Sequence, residues 1–358
     1  MINRVCRSPT TTMNSAASIQ KLHPSDPRWI AFLDSNPDIN IFYHPAWMKV
    51  MAESYGYRPF VLALVDAVGM LVAGIPLMEV YTPVNGRRWV SLPFSDYCRP
   101  LCRDKDSLPV FTEQLLREAE RKHIPVLELR GTYPAHQSLT THSEHVIHKL
   151  DLSPDVASVW TGVHLMHRRN VKIATENNVE IVHGTKIEHV AEFYGLHLHT
   201  RRRQGVPIQP WKFFVHLKEL LIDQGHGFLL LAYKDHQCIA GAIFLNWQDT
   251  LTYKFGASME YSLKYRPNNL IMWTAIKYAC EQGFRYFDMG RTDLENTGLR
   301  IFKSRWGAKE TQLFYSSFKT KPGRATEGRL TQYMHLVIQK SPAWVCRFTG
   351  ELLYKHFG

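Results

Sequence analysis

The sequence predicts a mixed α/β fold built twice over, and three observations carry that expectation. Strand-like and helix-like segments follow one another as β-β-β-α-β in each half of the chain. Each half has an Ala-Gly pair just after its first hairpin turn, Ala73-Gly74 and Ala240-Gly241. Each also places an Arg-Pro turn, Arg99-Pro100 and Arg266-Pro267, ahead of its amphipathic helix. An internal repeat of about 160 residues accounts for all three.

The elements follow in order. "RPFVLALVDAVGMLVAGIPLMEV" gives two strands around a turn at Ala67 to Gly69, and "RRWVSLPF" gives a third after the Asn85-Gly86 hairpin signal. "LPVFTEQLLREAERKH" reads as a helix with Phe111, Leu115 and Ala119 on one face, and "PVLELRG" closes the unit as a strand. In the second half "GFLLLAYKDHQCIAGAIFLNW" and "TLTYKFGAS" repeat the three strands. "NLIMWTAIKYACEQG" repeats the helix, with Trp273, Ile276 and Cys280 on its apolar face, a cap at Asn268 or Asn269 and a stop at Gly283. "RYFDMGR" is the last strand, which sets Glu128 and Asp288 at matching positions. Between the halves, "HLMHRRNVKIATENN" reads as a helix and "HLHTRRRQGVPIQP" as a helix end entering a proline-bounded loop.

At 358 residues, 45% of them hydrophobic, the chain is expected to form two domains with real cores. Residues 1–18 read as a disordered N-terminal segment, 19–150 and 151–318 as the two domains, and 319–358 as a basic amphipathic tail. The six cysteines include no C-x-x-C pair, and no Cys/His set has zinc spacing, so no metal site is expected and the thiols read as reduced. No apolar run reaches a membrane span and the first residues lack the core of a signal peptide. The expected location is the cytoplasm, with peripheral contact at the inner face of the cell membrane. A formal charge of +11 favours anionic partners.

The stretch "YFDMGRTDLENTGLRIFKSRWGAKE" carries the chemistry. Leu299, Phe302 and Trp306 fall at i, i+3 and i+7 on one helical stripe, and Lys303 at i+4 falls on the same stripe. A cation among apolar anchors has two readings. Its stem packs while the ammonium snorkels to water, or the poorly solvated ammonium serves negative charge developing on a substrate oxygen or a phosphate. Asp288, at a strand's C-terminal edge, is the candidate to orient or deprotonate a bound substrate group. Arg291 is the candidate for an anionic substrate group.

The pieces "RRNVKIATENNVEI", "TRRRQGVP", "CIAGAIFL" and "FDMGRT…GLRIFKSRWGA" resemble the Fem-type branch of the GNAT acyltransferase superfamily, over roughly Phe42 to Phe318. The resemblance implies tandem duplicated GNAT-like domains. It implies an enzyme that transfers an acyl or aminoacyl group to an amine of a cell-envelope, peptidoglycan or exopolysaccharide precursor, by direct attack without a covalent enzyme intermediate. It favours the catalytic reading of Lys303 and Asp288. It also marks Arg168, Arg203 and the Gly205-x-Pro207 turn for substrate phosphate, with Tyr253, Arg291 and Arg305 completing the candidate substrate set. The implied partners are an anionic small-molecule or lipid-linked saccharide substrate, with tRNA as one donor carrier.

One departure from the acetyl-CoA-dependent pattern bears on the donor. The glycine-rich turn that cradles pyrophosphate ahead of the helix is replaced by "KYRPNNLIMW" and "DYCRPLCRD". No tightly bound cofactor is expected, and the acyl donor is either aminoacyl-tRNA or acyl-CoA, with Asn268 and Asn269 as the residues placed to meet a phosphate. Two other readings stay open. One is an acetyl-CoA-dependent N-acetyltransferase of a soluble amine, the other a non-catalytic basic RNA- or membrane-binding protein. The tail sets Trp344, Phe348 and Leu352 at helical spacing, suited either to an anionic membrane surface or to docking on the chain's own core.

Overall fold

The computed structural model describes residues 17–37, 39–82, 86–319 and 338–354. The expected disordered segment lies outside these residues as far as residue 16, as do Asn85 and tail residues 320–337; Ser18 already opens the first strand. In chain order the first half runs β1 (Ser18–Leu22), α1 (Pro27–Asp34), α2 (Pro45–Tyr55), β2 (Arg58–Val65), β3 (Leu71–Thr82), β4 (Gly86–Val90), β5 (Leu101–Cys102), α3 (Ser107–Arg121), β6 (Val126–Leu129) and β7 (Thr140–Asp151). The second runs α4 (Val156–Gly162), α5 (Leu165–Glu176), β8 (Glu180–Gly184), α6 (Ile187–Arg203), α7 (Trp211–Leu217), β9 (Gly227–Lys234), β10 (Gln237–Trp247), β11 (Thr250–Ser258), α8 (Pro267–Glu281), β12 (Tyr286–Asp293), α9 (Thr297–Ser304), β13 (Lys309–Lys319) and α10 (Ala343–Leu353).

All strands join one sheet in the order β1-β2-β3-β4-β6-β13-β7-β12-β11-β10-β9-β8, with β5 beside β3. The path is symmetric about its centre, and the two central strands are exchanged. β13, from the second half, pairs with β6, and β7, from the first, pairs with β12. Two five-strand wings are thereby tied together by backbone hydrogen bonds rather than by side-chain packing alone. One core crosses the junction, where Trp29, Trp47 and Phe60 belong to the same buried cluster as Phe193, Phe213 and Phe214. A second core lies under α5 and α8, around Ile271, Ile276, Phe287 and Trp306.

The duplication is exact in register at the point that matters. β4 and β6 run parallel and pair Arg88 with Val126 through Val90 with Glu128; β11 and β12 run parallel and pair Thr250 with Tyr286 through Thr252 with Asp288. A parallel pair needs a crossover, which α3 and α8 supply. Glu128 and Asp288 therefore occupy equivalent sites, each the last paired residue before its strands diverge. The shared Ala-Gly pairs have a common cause too. A Cβ on Gly74 would collide with the Trp29 ring of α1, and one on Gly241 would press on Phe193 of α6, so each glycine admits an aromatic anchor from the equivalent helix.

Local chemistry fixes the element ends. The β9–β10 turn uses Asp235 and His236, both at positive φ (49° and 62°), as a two-residue hairpin requires. α8 is capped two or three residues earlier than the asparagine caps, Asn268 or Asn269, expected from sequence. Proline at its first position is preset for the helix, and Arg266, at φ 59°, is the cap residue. On α9 the expected apolar stripe is inverted in part, for Leu299 is 37% exposed while Lys303 is 3% exposed.

The C-terminal helix docks on the chain's own core. α10 lies against α6, buries Cys346, and passes so close to the loop after α6 that a Cβ on Gly350 would run into the Ile208 carbonyl. Trp344 and Phe348 point outward, and the Leu352 side chain lies outside the described residues. Gly350→Ala is expected to loosen this contact at a cost of about 1–3 kcal/mol, read as a lower melting temperature and earlier proteolysis within 338–354. An unchanged melt and cleavage pattern would contradict the docking.

Candidate active site

Past Asp288 the parallel strands separate: β12 stays paired with β7 through a register shift between Asp288 and Arg291, while β11 continues to Ser258. The bend is made by Gly290, at φ 71°. Asp288 sits at the apex of this V with no solvent exposure. Its Oδ1 accepts the Gly290 N–H at 2.7 Å, and its Oδ2 is buried with no hydrogen-bond partner. Burial, then the Asp96 carboxylate, push its pKa up to about 6, against the Gly290 N–H, Lys303 and Lys149, which pull it down.

Lys303 braces the same bend. Its ammonium donates to the Gly290 carbonyl at 2.8 Å and the Arg291 carbonyl at 3.1 Å. Burial lowers its pKa to about 8, against the Asp96 and Asp288 carboxylates that favour the charged form. It neither snorkels to water nor reaches into open space. It holds two backbone oxygens, and its charge faces the two carboxylates.

The second carboxylate comes from the other half of the chain, and sequence reading missed it. The 91–100 loop that follows β4 folds over Gly290, where a Cβ would lie 3.1 Å from Asp96 Oδ2. Leu92 and Phe94, at φ 57° and 62°, hold a left-handed backbone that bulky side chains rarely adopt. Three long polar side chains pin the loop: Arg130 Nη1 to the Ser95 carbonyl at 2.5 Å, Lys254 Nζ to the Phe94 carbonyl at 2.7 Å, and Tyr315 Oη to the Asp96 carbonyl at 2.5 Å. Two of these pins, Lys254 and Tyr315, come from the second half. Strain held this way by surrounding structure is a mark of functional sites. Lys254 also stands 3.6 Å from Asp96 Oδ1 and 4.5 Å from the centre of the Phe42 ring, in surroundings that lower its pKa by burial.

The predicted residues fall into three groups. Asp288, Lys303 and Arg291 meet at the apex; Arg291 is exposed and donates to the Tyr315 hydroxyl at 3.2 Å. Arg203, Tyr253 and Asn268 line a separate cavity of about 300 Å³ between β11, α6, α8 and α9. There Asn268 donates to Ser258 Oγ at 3.2 Å, and the Tyr253 hydroxyl lies over Gly256, a position with no room for a Cβ. Asn269, Arg168 and Arg305 form the third group and do not line that cavity. Asn269 is 5% exposed and donates to His167 Nδ1 at 3.0 Å. His167 Nε2 must then be the protonated nitrogen, because it faces the Phe302 carbonyl at 2.8 Å. Arg168 keeps its Nε buried without a partner, and Arg305 reaches Met166 Sδ at 3.0 Å.

The equivalent position in the first half is ion-paired. Glu128 is held by Arg88 at 2.9 Å, and the residue of β11 at the register position of Arg88 is the uncharged Thr250. At the start of α8 the donors for a phosphate are few. Pro267 has no N–H, and the N–H groups of Asn269 and Leu270 both go to the Arg266 carbonyl, at 3.1 Å and 3.4 Å. Among the described residues no three His, Cys, Asp or Glu side chains gather as a metal site, and no helix is long and apolar enough to cross a membrane.

Residues 166–303 match the family model described as an acetyltransferase (GNAT) domain. No curated protein matches. Among solved structures, FemX is similar at 14% identity, covering 83% of this chain and 96% of its own, with a TM-score of 0.65. The C-terminal domain of a putative lysylphosphatidylglycerol synthetase from Agrobacterium fabrum is similar at 11% identity, 87% and 96% coverage and a TM-score of 0.54. A tandem GNAT protein from the clavulanic acid biosynthesis pathway is similar at 10% identity, 86% and 100% coverage and a TM-score of 0.51.

Proposed function

We propose that this chain, a GNAT-type acyltransferase with a tandem fold, moves an acyl or aminoacyl group onto an amine of an anionic cell-envelope precursor by direct attack. The observation that carries the proposal is the asymmetry of the two V apices, since Glu128 is neutralised by Arg88 while Asp288 keeps an unpartnered oxygen beside a buried lysine. A carboxyl that titrates near 6 is ionised at neutral pH yet basic enough to take a proton from an attacking amine. Lys303 acts through the backbone it holds. By fixing the Gly290 and Arg291 carbonyls it sets the bend, and with it the position of Asp288 and of the Arg291 guanidinium. Arg291, exposed at the rim, suits an anionic substrate group.

The cavity between α6, α8 and β11, lined by Arg203, Asn268 and Tyr253, is the expected acyl-donor channel. The scarcity of free N–H groups at the start of α8 favours a donor other than acyl-CoA, aminoacyl-tRNA being the candidate. The family model's description as an acetyltransferase supports the other reading, a CoA-dependent N-acetyltransferase of a soluble amine. Calorimetry separates them. The expected result is acetyl-CoA binding no tighter than roughly millimolar, about −4 kcal/mol, with aminoacyl-tRNA binding tighter and weakened by Arg203→Ala. Micromolar acetyl-CoA binding would reverse the assignment of the donor.

A further inference from the structure

Most of the large apolar side chains that the fold leaves in solvent lie on one group of elements, around the mouth of the α6–α8 cavity. Leu299 is on its wall, and Ile301 follows on α9 at 49% exposed. The end of α9 is tied to the start of α5 by the His164 N–H on the Arg305 carbonyl, at 2.8 Å. That start presents Leu165, 68% exposed, and Met166. On the other side, Arg203 and Ser258 are shared with a neighbouring cavity that Tyr261 and Gln339 also line. Gln339 donates to the Arg203 carbonyl, and Arg202 donates to the Ser341 carbonyl, which carries the surface on to Trp344, 67% exposed.

The charge on these segments is mainly positive, with Glu260 paired to Arg203 at 3.9 Å. Residues 164–169, 201–204, 260–266, 297–305 and 338–344 hold Glu260 as their one carboxylate, against many cations including Arg203, Lys264, Arg266 and Lys340. Exposed apolar side chains within a cationic field match one kind of surface, an interface where hydrocarbon lies beneath negative headgroups. Nucleic acid is held by cations and stacking rings, and although Tyr261 and Trp344 supply rings here, the larger share of this face, Leu165, Met166, Leu263, Leu299 and Ile301, is aliphatic.

We propose that this face docks on an anionic lipid bilayer, with the cavity mouth against the headgroups, so that the chain works on a substrate presented at a membrane surface. The proposal extends the acyl-transfer reading by naming where its substrate is met. The test contains no acyl donor or acceptor, so failure to bind and failure to turn over are read separately.

The full chain is sedimented with phosphatidylcholine vesicles and with vesicles in which about a third of the lipid is phosphatidylglycerol. The expected result is retention on the anionic vesicles alone, lowered about tenfold or more in the Leu165→Ser, Ile301→Ser double variant, whose exposed changes should leave the melt unaltered. Absence of wild-type retention on anionic vesicles would overturn the proposal. So would equal retention of the wild type and the double variant. A chain that ignores both vesicles but is retained on tRNA, with that retention lowered by the double change, would assign the face to nucleic acid and overturn it as well.

Discussion

Lys303→Met is expected to lower turnover by about 100-fold and to destabilise the fold by about 2–4 kcal/mol. Methionine keeps the apolar stem, and at a lysine that merely snorkels it would be neutral or stabilising. Here the ammonium is buried and occupied. Its loss strands the Gly290 and Arg291 carbonyls and removes the positive charge that opposes repulsion between Asp96 and Asp288. A purely structural lysine would lower stability alone. A lysine that sets the site would also move the pH profile. Without its charge the Asp288 pKa should rise above its value of about 6, shifting the acidic limb of turnover to higher pH. Undiminished turnover in a folded Lys303→Met protein, with an unmoved acidic limb, would remove this residue from the site.

Asp288→Asn should abolish most turnover, by about 100-fold or more, and should change how stability depends on pH. The sign follows from the direction of the shift. A carboxyl whose folded pKa is raised disfavours folding where it is ionised. That cost is full above about 6, fades as the pH falls, and is gone below the ordinary aspartate value. For a shift of this size it amounts to roughly 3 kcal/mol. The buried amide of the variant carries its own pH-independent penalty, so the slope is the informative quantity. The stability of Asp288→Asn relative to wild type should rise by roughly 3 kcal/mol between about pH 4 and pH 8, as read by denaturant unfolding. A parallel pair of curves would show that Asp288 titrates normally and is solvated.

The duplication, and with it the equivalence of Glu128 and Asp288, was legible because it is written in short-range signals: hairpin turns, Ala-Gly pairs and a Pro-started helix. The exchange of β7 and β13 was not. The sequence reading closes each half at "PVLELRG" and "RYFDMGR" and expects neither strand, and which neighbour each pairs with depends on contacts across more than a hundred residues of chain. Asp96 and Lys254 were missed for related reasons. Asp96 lies in a loop of the other half that was read only for its want of glycines. Lys254 lies in a strand whose alternation sends it toward solvent until the register shift between Ile243 and Phe244 turns it into the seam. The aromatic spacing of the tail was read correctly as helical, yet the pattern alone could not say that small residues such as Cys346 and Gly350 face the core and the rings face outward.

The central claim is that the second copy performs acyl transfer and the first does not, and the equivalent carboxylates test it directly. Wild type, Asp288→Asn and Glu128→Gln are each incubated with a deproteinised cell extract supplemented with charged tRNA and acyl-CoA, and amine-bearing products are followed by untargeted mass spectrometry. The account predicts an acyl or aminoacyl mass increment with wild type and Glu128→Gln, and its loss with Asp288→Asn. Loss of the product with Glu128→Gln and its persistence with Asp288→Asn, both variants being folded, would contradict it.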